Sequence, residues 1–110
     1  MEVVAQVGTA EEAIEAARRL EPDIVIMDIL LPLMNGIEAT RTILSDRPGT
    51  RILALSNYSG PILVQTILDA GGLGFVRKNR AFEELIPAIR AVGEGKRYVG
   101  ENTGGPHLPE

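Results

Sequence analysis

The segment Ile24-Val25-Ile26-Met27-Asp28-Ile29-Leu30-Leu31-Pro32-Leu33-Met34-Asn35-Gly36 limits the possible folds of this chain more than any other. Its first four residues are apolar and mostly β-branched, the pattern of a strand buried on both faces. A carboxylate follows, and then a loop punctuated by Pro32 and Asn35-Gly36. Asp28 is thereby set at the carboxyl end of an inner strand, the edge at which ligands and chemistry gather in open α/β sheets. Taken alone, the same pattern also suits an aspartate that caps a turn.

Similar units surround this one. Glu2 to Val7 is strand-like and ends at Gly8; Thr9 and Glu12 then form a capping box. Ala13, Ile14, Ala16, Ala17 and Leu20 supply an apolar helical face, and Pro22 ends the helix. Ile37 to Leu44 predicts a second helix, with Ile37, Thr40, Ile43 and Leu44 facing inward. Arg51 to Ser56 is another compact apolar strand, and Ser56 occupies in it the place that Asp28 occupies in the earlier one. A helix over Ile62 to Ala70, closed by Gly71-Gly72, leads to a strand from Leu73 to Arg77 that delivers Lys78 at its end. The last helix is expected from Phe82 to Val92, with Leu85, Ile86, Ile89 and Val92 on its buried stripe. Pro87 within it should kink it or set off its first turn. Gly93 to Gly100 reads as a mobile extension, and the stretch from Glu101 has too little apolar content to fold. One domain over residues 1–100 and a flexible tail over 101–110 are expected. The alternation predicts a parallel sheet with helices around it through right-handed crossovers, and it brings Asp28, Ser56 and Lys78 to one edge.

The composition excludes several classes of function. The chain of 110 residues has no Cys, which rules out disulfides and thiolate sites. Its net charge of -4 argues against a nucleic-acid surface. No apolar run reaches the roughly 18 residues of a membrane span, and no leader-like segment is apparent, so a cytoplasmic setting is expected.

The chain resembles the receiver domain of bacterial two-component response regulators, in particular the branch whose receivers precede a LuxR/NarL-type helix-turn-helix. The resemblance is carried by Pro22-Asp23-Ile24-Val25-Ile26-Met27-Asp28, Pro32, Met34-Asn35-Gly36, Ala54-Leu55-Ser56, Ala70 to Lys78 and Glu83 to Val92. It implies a three-layer, flavodoxin-like (CheY-like) parallel sheet. It also implies that Asp28 is the phosphoacceptor, Lys78 the cation that holds the carboxylate and then a phosphoryl oxygen, and Ser56 the hydroxyl that receives a phosphoryl oxygen and moves on activation. Phe75 stands where the family has an aromatic rotamer switch, though lacking a hydroxyl it also suits plain core packing. The backbone carbonyl of Leu30 would join Asp28 as a magnesium ligand, with Pro32 and Gly36 shaping the loop. The implied partner is a sensor histidine kinase, with any output domain following near Tyr98; no direct contact of this chain with nucleic acid or membrane is expected.

Such receivers begin with a further strand, ending in an acidic pair that holds Mg²⁺, and a helix. This chain starts at what looks like the second strand, giving four βα units instead of five. Glu2 begins its strand and so does not replace the pair. A hard cation needs several oxygen ligands, so weak Mg²⁺ binding and weak phosphorylation are expected. Either Val3 to Val7 slides beside Ile24 to Met27 in a four-strand sheet, or a partner fills the gap. Both leave apolar surface on the side of the missing helix, so a homodimer or strand-exchanged oligomer is expected. The alternative is a degenerate or truncated pseudo-receiver acting as an interaction module without phosphate. A small-molecule-binding domain of flavodoxin type fits less well, since no Gly-rich phosphate loop follows the first strand.

Overall fold

The computed structural model describes residues 3–7, 10–29, 33–57 and 60–100, and the side chains of residues 11–29, 36–57 and 60–100. Strand β1 (Val3–Val7), helix α1 (Ala10–Leu20), β2 (Ile24–Ile29), α2 (Leu33–Asp46), β3 (Arg51–Ser56), α3 (Pro61–Asp69), β4 (Gly74–Arg77), α4 (Ala81–Gly93) and β5 (Tyr98–Val99) follow in order, and one 3-10 turn, Lys78–Arg80, precedes α4. This is the expected three-layer α/β fold of four βα units, closed by one further short strand. All pairings are parallel, and the strands lie in chain order, β1-β2-β3-β4-β5.

The alternation of side chains along the inner strands builds two cores. Val25, Met27 and Ile29 of β2, Ile52 and Ala54 of β3, and Phe75 of β4 pack with Ala13 and Ala17 of α1, Ile37 and Ile43 of α2, and Val64 and Ile67 of α3. Their neighbours Ile24, Ile26, Leu53, Leu55 and Val76 point the other way and are covered by Ala88 and Val92 of α4. Each fully buried Ile, Leu or Phe contributes about 1.5–3 kcal/mol, so continuous apolar runs in β2 and β3 are what a sheet covered on both faces requires.

Several expectations are corrected. Val3 to Val7 does lie beside β2, in an irregular register (Val3↔Ile24, Val4↔Val25, Val7↔Met27), but the sheet has five strands instead of four. The segment expected to be mobile supplies the fifth: Gly74 pairs with Tyr98 and Phe75 with Val99, and the amide of Tyr98 donates to the carbonyl of Leu73 at 3.0 Å. Helix α4 joins β4 to β5 in the same direction along the sheet as the other helices, yet it lies on the opposite face. This connection therefore has the opposite hand to the first three, a departure from the single hand expected. The α4 face of β2, β3 and β4 is buried, so those strands leave no apolar surface open there. Leu20 and Ile86, expected to face inward, are exposed, and Glu84 and Ala88 take the inner positions of α4. Pro87 lies within α4, which runs through it as one helix, because Pro87 sits on the wet side where the missing amide bond is left to water.

At Gly74 the sheet leaves no space for a side chain. A Cβ there would lie 2.6 Å from Leu53 Cδ1 and 3.0 Å from Val92 Cγ2, and neither side chain has room to retreat. Gly74→Ala is expected to destabilise the domain by about 1–3 kcal/mol through overpacking, read as a lower urea midpoint.

Candidate functional site

Three neighbouring strands end at one edge of the sheet. In the β2-β3-β4 register Asp28 faces Leu55, Ile29 faces Ser56, and Ser56 faces Arg77, so Asp28, Ser56 and Lys78 come together at the carboxyl ends of successive strands. Lys78 is the first residue of the turn after β4, and its ammonium reaches Asp28 across the end of β3. Nζ lies 2.7 Å from Oδ1, with 26% of the lysine side chain and 15% of the aspartate side chain exposed. Oδ1 is shut off from solvent and has no aligned hydrogen bond, so the lysine charge is what compensates it.

The remaining expected positions divide. Ser56 is fully buried and already engaged within the fold. Phe75 is fully buried and belongs to the larger core, so in this state it serves as packing. Leu30 and Pro32 lie outside the described residues. Met34-Asn35-Gly36 is helical and not a loop, since α2 begins at Leu33. Gly36 is needed there for close approach: a Cβ would lie 2.6 Å from Ile29 Cδ1, so its absence lets the first turns of α2 press against the end of β2 beside Asp28.

Sequence reasoning passed over one supporting pair. Arg80 Nε contacts Glu84 Oε2 at 3.2 Å, with the glutamate side chain only 7% exposed. It ties the turn that carries Lys78 to the first turn of α4. The signal was present as an Arg and a Glu four residues apart.

The site does not fit a magnesium ion on the described residues. No group of three His, Asp or Glu side chains gathers among them, and Asp28 is already held by Lys78. A hard cation would find one carboxylate where it needs several oxygens.

Residues 1–90 match the family model of the response regulator receiver domain. The chain belongs to this family. It is similar to the crystal structure of a LuxR-family two-component response regulator from Aurantimonas sp. SI85-9A1, with a TM-score of 0.82 and 37% identity over 91% of this chain and 71% of the other. It is 35% identical over 99 residues to the response regulator GacA of Pseudomonas viridiflava and 31% identical over 102 residues to the response regulator UvrY of Escherichia coli K12. These alignments take in 90% and 93% of this chain but 46% and 47% of the relatives, so the receiver spans about half the length of those curated proteins. The domain is a receiver module of the two-component phosphorelay type, a class that takes up a phosphoryl group itself instead of turning over an external substrate. Among the described residues no helix is long and apolar enough to cross a membrane.

The Asp28 and Lys78 contact can be measured directly. Asp28→Asn, Lys78→Gln and the double variant should give a coupling energy of about 1 kcal/mol in urea unfolding, the magnitude for a pair that is only partly shielded from water. A coupling near zero would show that the pair stabilises nothing.

Proposed function

We propose that this receiver accepts a phosphoryl group on Asp28 from the phosphohistidine of a sensor histidine kinase. The observation that carries the proposal is the 2.7 Å contact between Lys78 Nζ and Asp28 Oδ1 at the carboxyl edge of the sheet. A carboxylate oxygen attacks phosphorus, an acyl phosphate forms, and the bond from phosphorus to the imidazole nitrogen breaks. Lys78 first holds the nucleophile in position, then passes to a phosphoryl oxygen and neutralises charge as it builds. Ser56, on the adjacent strand, is the hydroxyl that receives another phosphoryl oxygen; because it is fully buried, it must be uncovered first, which makes it the mobile element of the switch. Phe75, in the next strand, is the aromatic position through which that movement would reach the core.

The functional unit of this reading is residues 1–100; residues 101–110, expected as a tail, lie outside the described residues. The setting is the cytosol and the assembly a homodimer or strand-exchanged oligomer. A second reading, a pseudo-receiver that works as an interaction module without phosphate, is favoured by one observation: the described residues give a cation no acidic cluster.

Intact mass after incubation with acetyl phosphate and Mg²⁺ tests the choice. The expected outcome is a gain of about 80 Da, one phosphoryl group, that Asp28→Asn abolishes and Lys78→Gln slows by about tenfold or more. The yield should fall below that of a receiver with an acidic pair run beside it. No gain under conditions that label that receiver would leave the interaction module as the function.

A further inference from the structure

At the edge of the sheet opposite Asp28, where the strands begin, lies a cavity that the phosphoryl chemistry does not use. It has a volume of about 380 Å³ and is bounded by the end of α2, the turn into β3 and the turn into β4. Leu44, Pro48 and Leu73 form its apolar wall, and Gly49, Thr50 and Arg51 its polar one; none of the described residues that line it is acidic. An apolar wall with a few polar groups gathered on one side is the usual form of a small-molecule site. Two of those polar groups lack partners. Arg51 Nη1 donates to the carbonyl of Gly93 at 3.2 Å, and among the described residues no carboxylate pairs with the guanidinium. Thr50 is only 4% exposed, and its hydroxyl is closed off from solvent with no hydrogen-bond partner. At Gly49 the rim is open, since a Cβ there would meet nothing within 4 Å.

We infer that this cavity binds a small monocarboxylate with an apolar body, an aryl or short alkyl acid. Charge selects the anion: a guanidinium that gives one N–H to a carbonyl keeps the rest of its fork for the two oxygens of a carboxylate. The wall of Leu44, Pro48 and Leu73 selects a ligand with an apolar body over a bare inorganic ion. Thr50 completes the site. A turn about its Cα–Cβ bond brings the hydroxyl from its closed position to the cavity wall, where a carboxylate oxygen supplies the acceptor that it lacks in the free protein. Arg51 begins the strand that Ser56 ends, so the cavity and the phosphorylation edge stand about 17 Å apart along β3. Binding here is therefore independent of chemistry at Asp28.

Titration of the isotope-labelled full chain with benzoate, at ionic strength held constant with chloride, reads the site through the amide resonances of Gly49, Arg51, Gly71 and Leu73. A ligand of this size is expected to saturate with a Kd on the order of 1 mM. Arg51→Gln should weaken binding by about tenfold or more. Gly49→Leu, at a glycine without a positive φ, fills the open rim and should abolish binding with the fold intact, as circular dichroism and the urea midpoint would check. Benzyl alcohol keeps the apolar body without the charge and acetate the charge without the body, and each should bind about tenfold or more weaker than benzoate. Thr50→Val should weaken benzoate by about threefold while leaving the urea midpoint unchanged or raising it, because the hydroxyl it removes has no partner in the free protein. No saturable shift with benzoate would overturn the site, and so would binding indifferent to both Arg51→Gln and Gly49→Leu. Acetate binding as tightly as benzoate would overturn the apolar half of the ligand, and a midpoint lowered by Thr50→Val would overturn the role of the hydroxyl.

Discussion

Because β2 and β3 carry apolar side chains on both faces, the sheet has to be covered on both, and the position of every other element follows from how that is done. Helices α1, α2 and α3 cover one face over Val25, Met27, Ile52, Ala54 and Phe75. The other face, over Ile24, Ile26, Leu53, Leu55 and Val76, falls to α4. That demand outweighs the usual hand of a crossover: α4 lies where apolar surface needs it, although the direction from β4 to β5 would have sent it to the opposite side. The end of the helix is fastened as well, since Arg51 at the start of β3 donates from Nη1 to the carbonyl of Gly93 at 3.2 Å.

The same burial explains why one edge of the sheet became a chemical site. Residues inside β2 and β3 have no room for charge, so polar groups collect where the strands stop. Asp28 and Lys78 come from strands on either side of β3, and their contact closes over its end. Glu84 is a carboxylate kept almost entirely from water, and its contact with Arg80 fixes the turn from which Lys78 projects. The lysine is thus held by the fold behind it as well as by the aspartate before it.

Much of this was legible in the sequence, for physical reasons that also explain where it was not. Asp28, Ser56 and Lys78 each follow an apolar run, and a run that short and continuous has few uses other than an inner strand. The start of α2 was hidden because Pro32 and Asn35-Gly36 are turn signals by type, whereas Gly36 is there to let the helix touch Ile29. Strand β5 was hidden because two residues carry no period, and their pairing depends on the open edge of β4. Leu20 and Ile86 fit an apolar stripe by spacing, but the chain cannot announce which flank of a stripe its neighbours will cover. The resemblance to receivers supplied what spacing alone left open, namely that a strand-end aspartate and lysine belong to a single site.

Strand β5 runs parallel to β4, with Val99 level with Phe75, three residues short of Lys78. The polypeptide therefore leaves the sheet pointed at the edge where Asp28 and Lys78 meet, and the amide of Gly100 is still tied to the carbonyl of Phe75. The departure point and the ion pair share one strand as their common support. A shift of Lys78 away from Asp28 would bear on β4, the same strand whose Phe75 carbonyl holds the amide of Gly100.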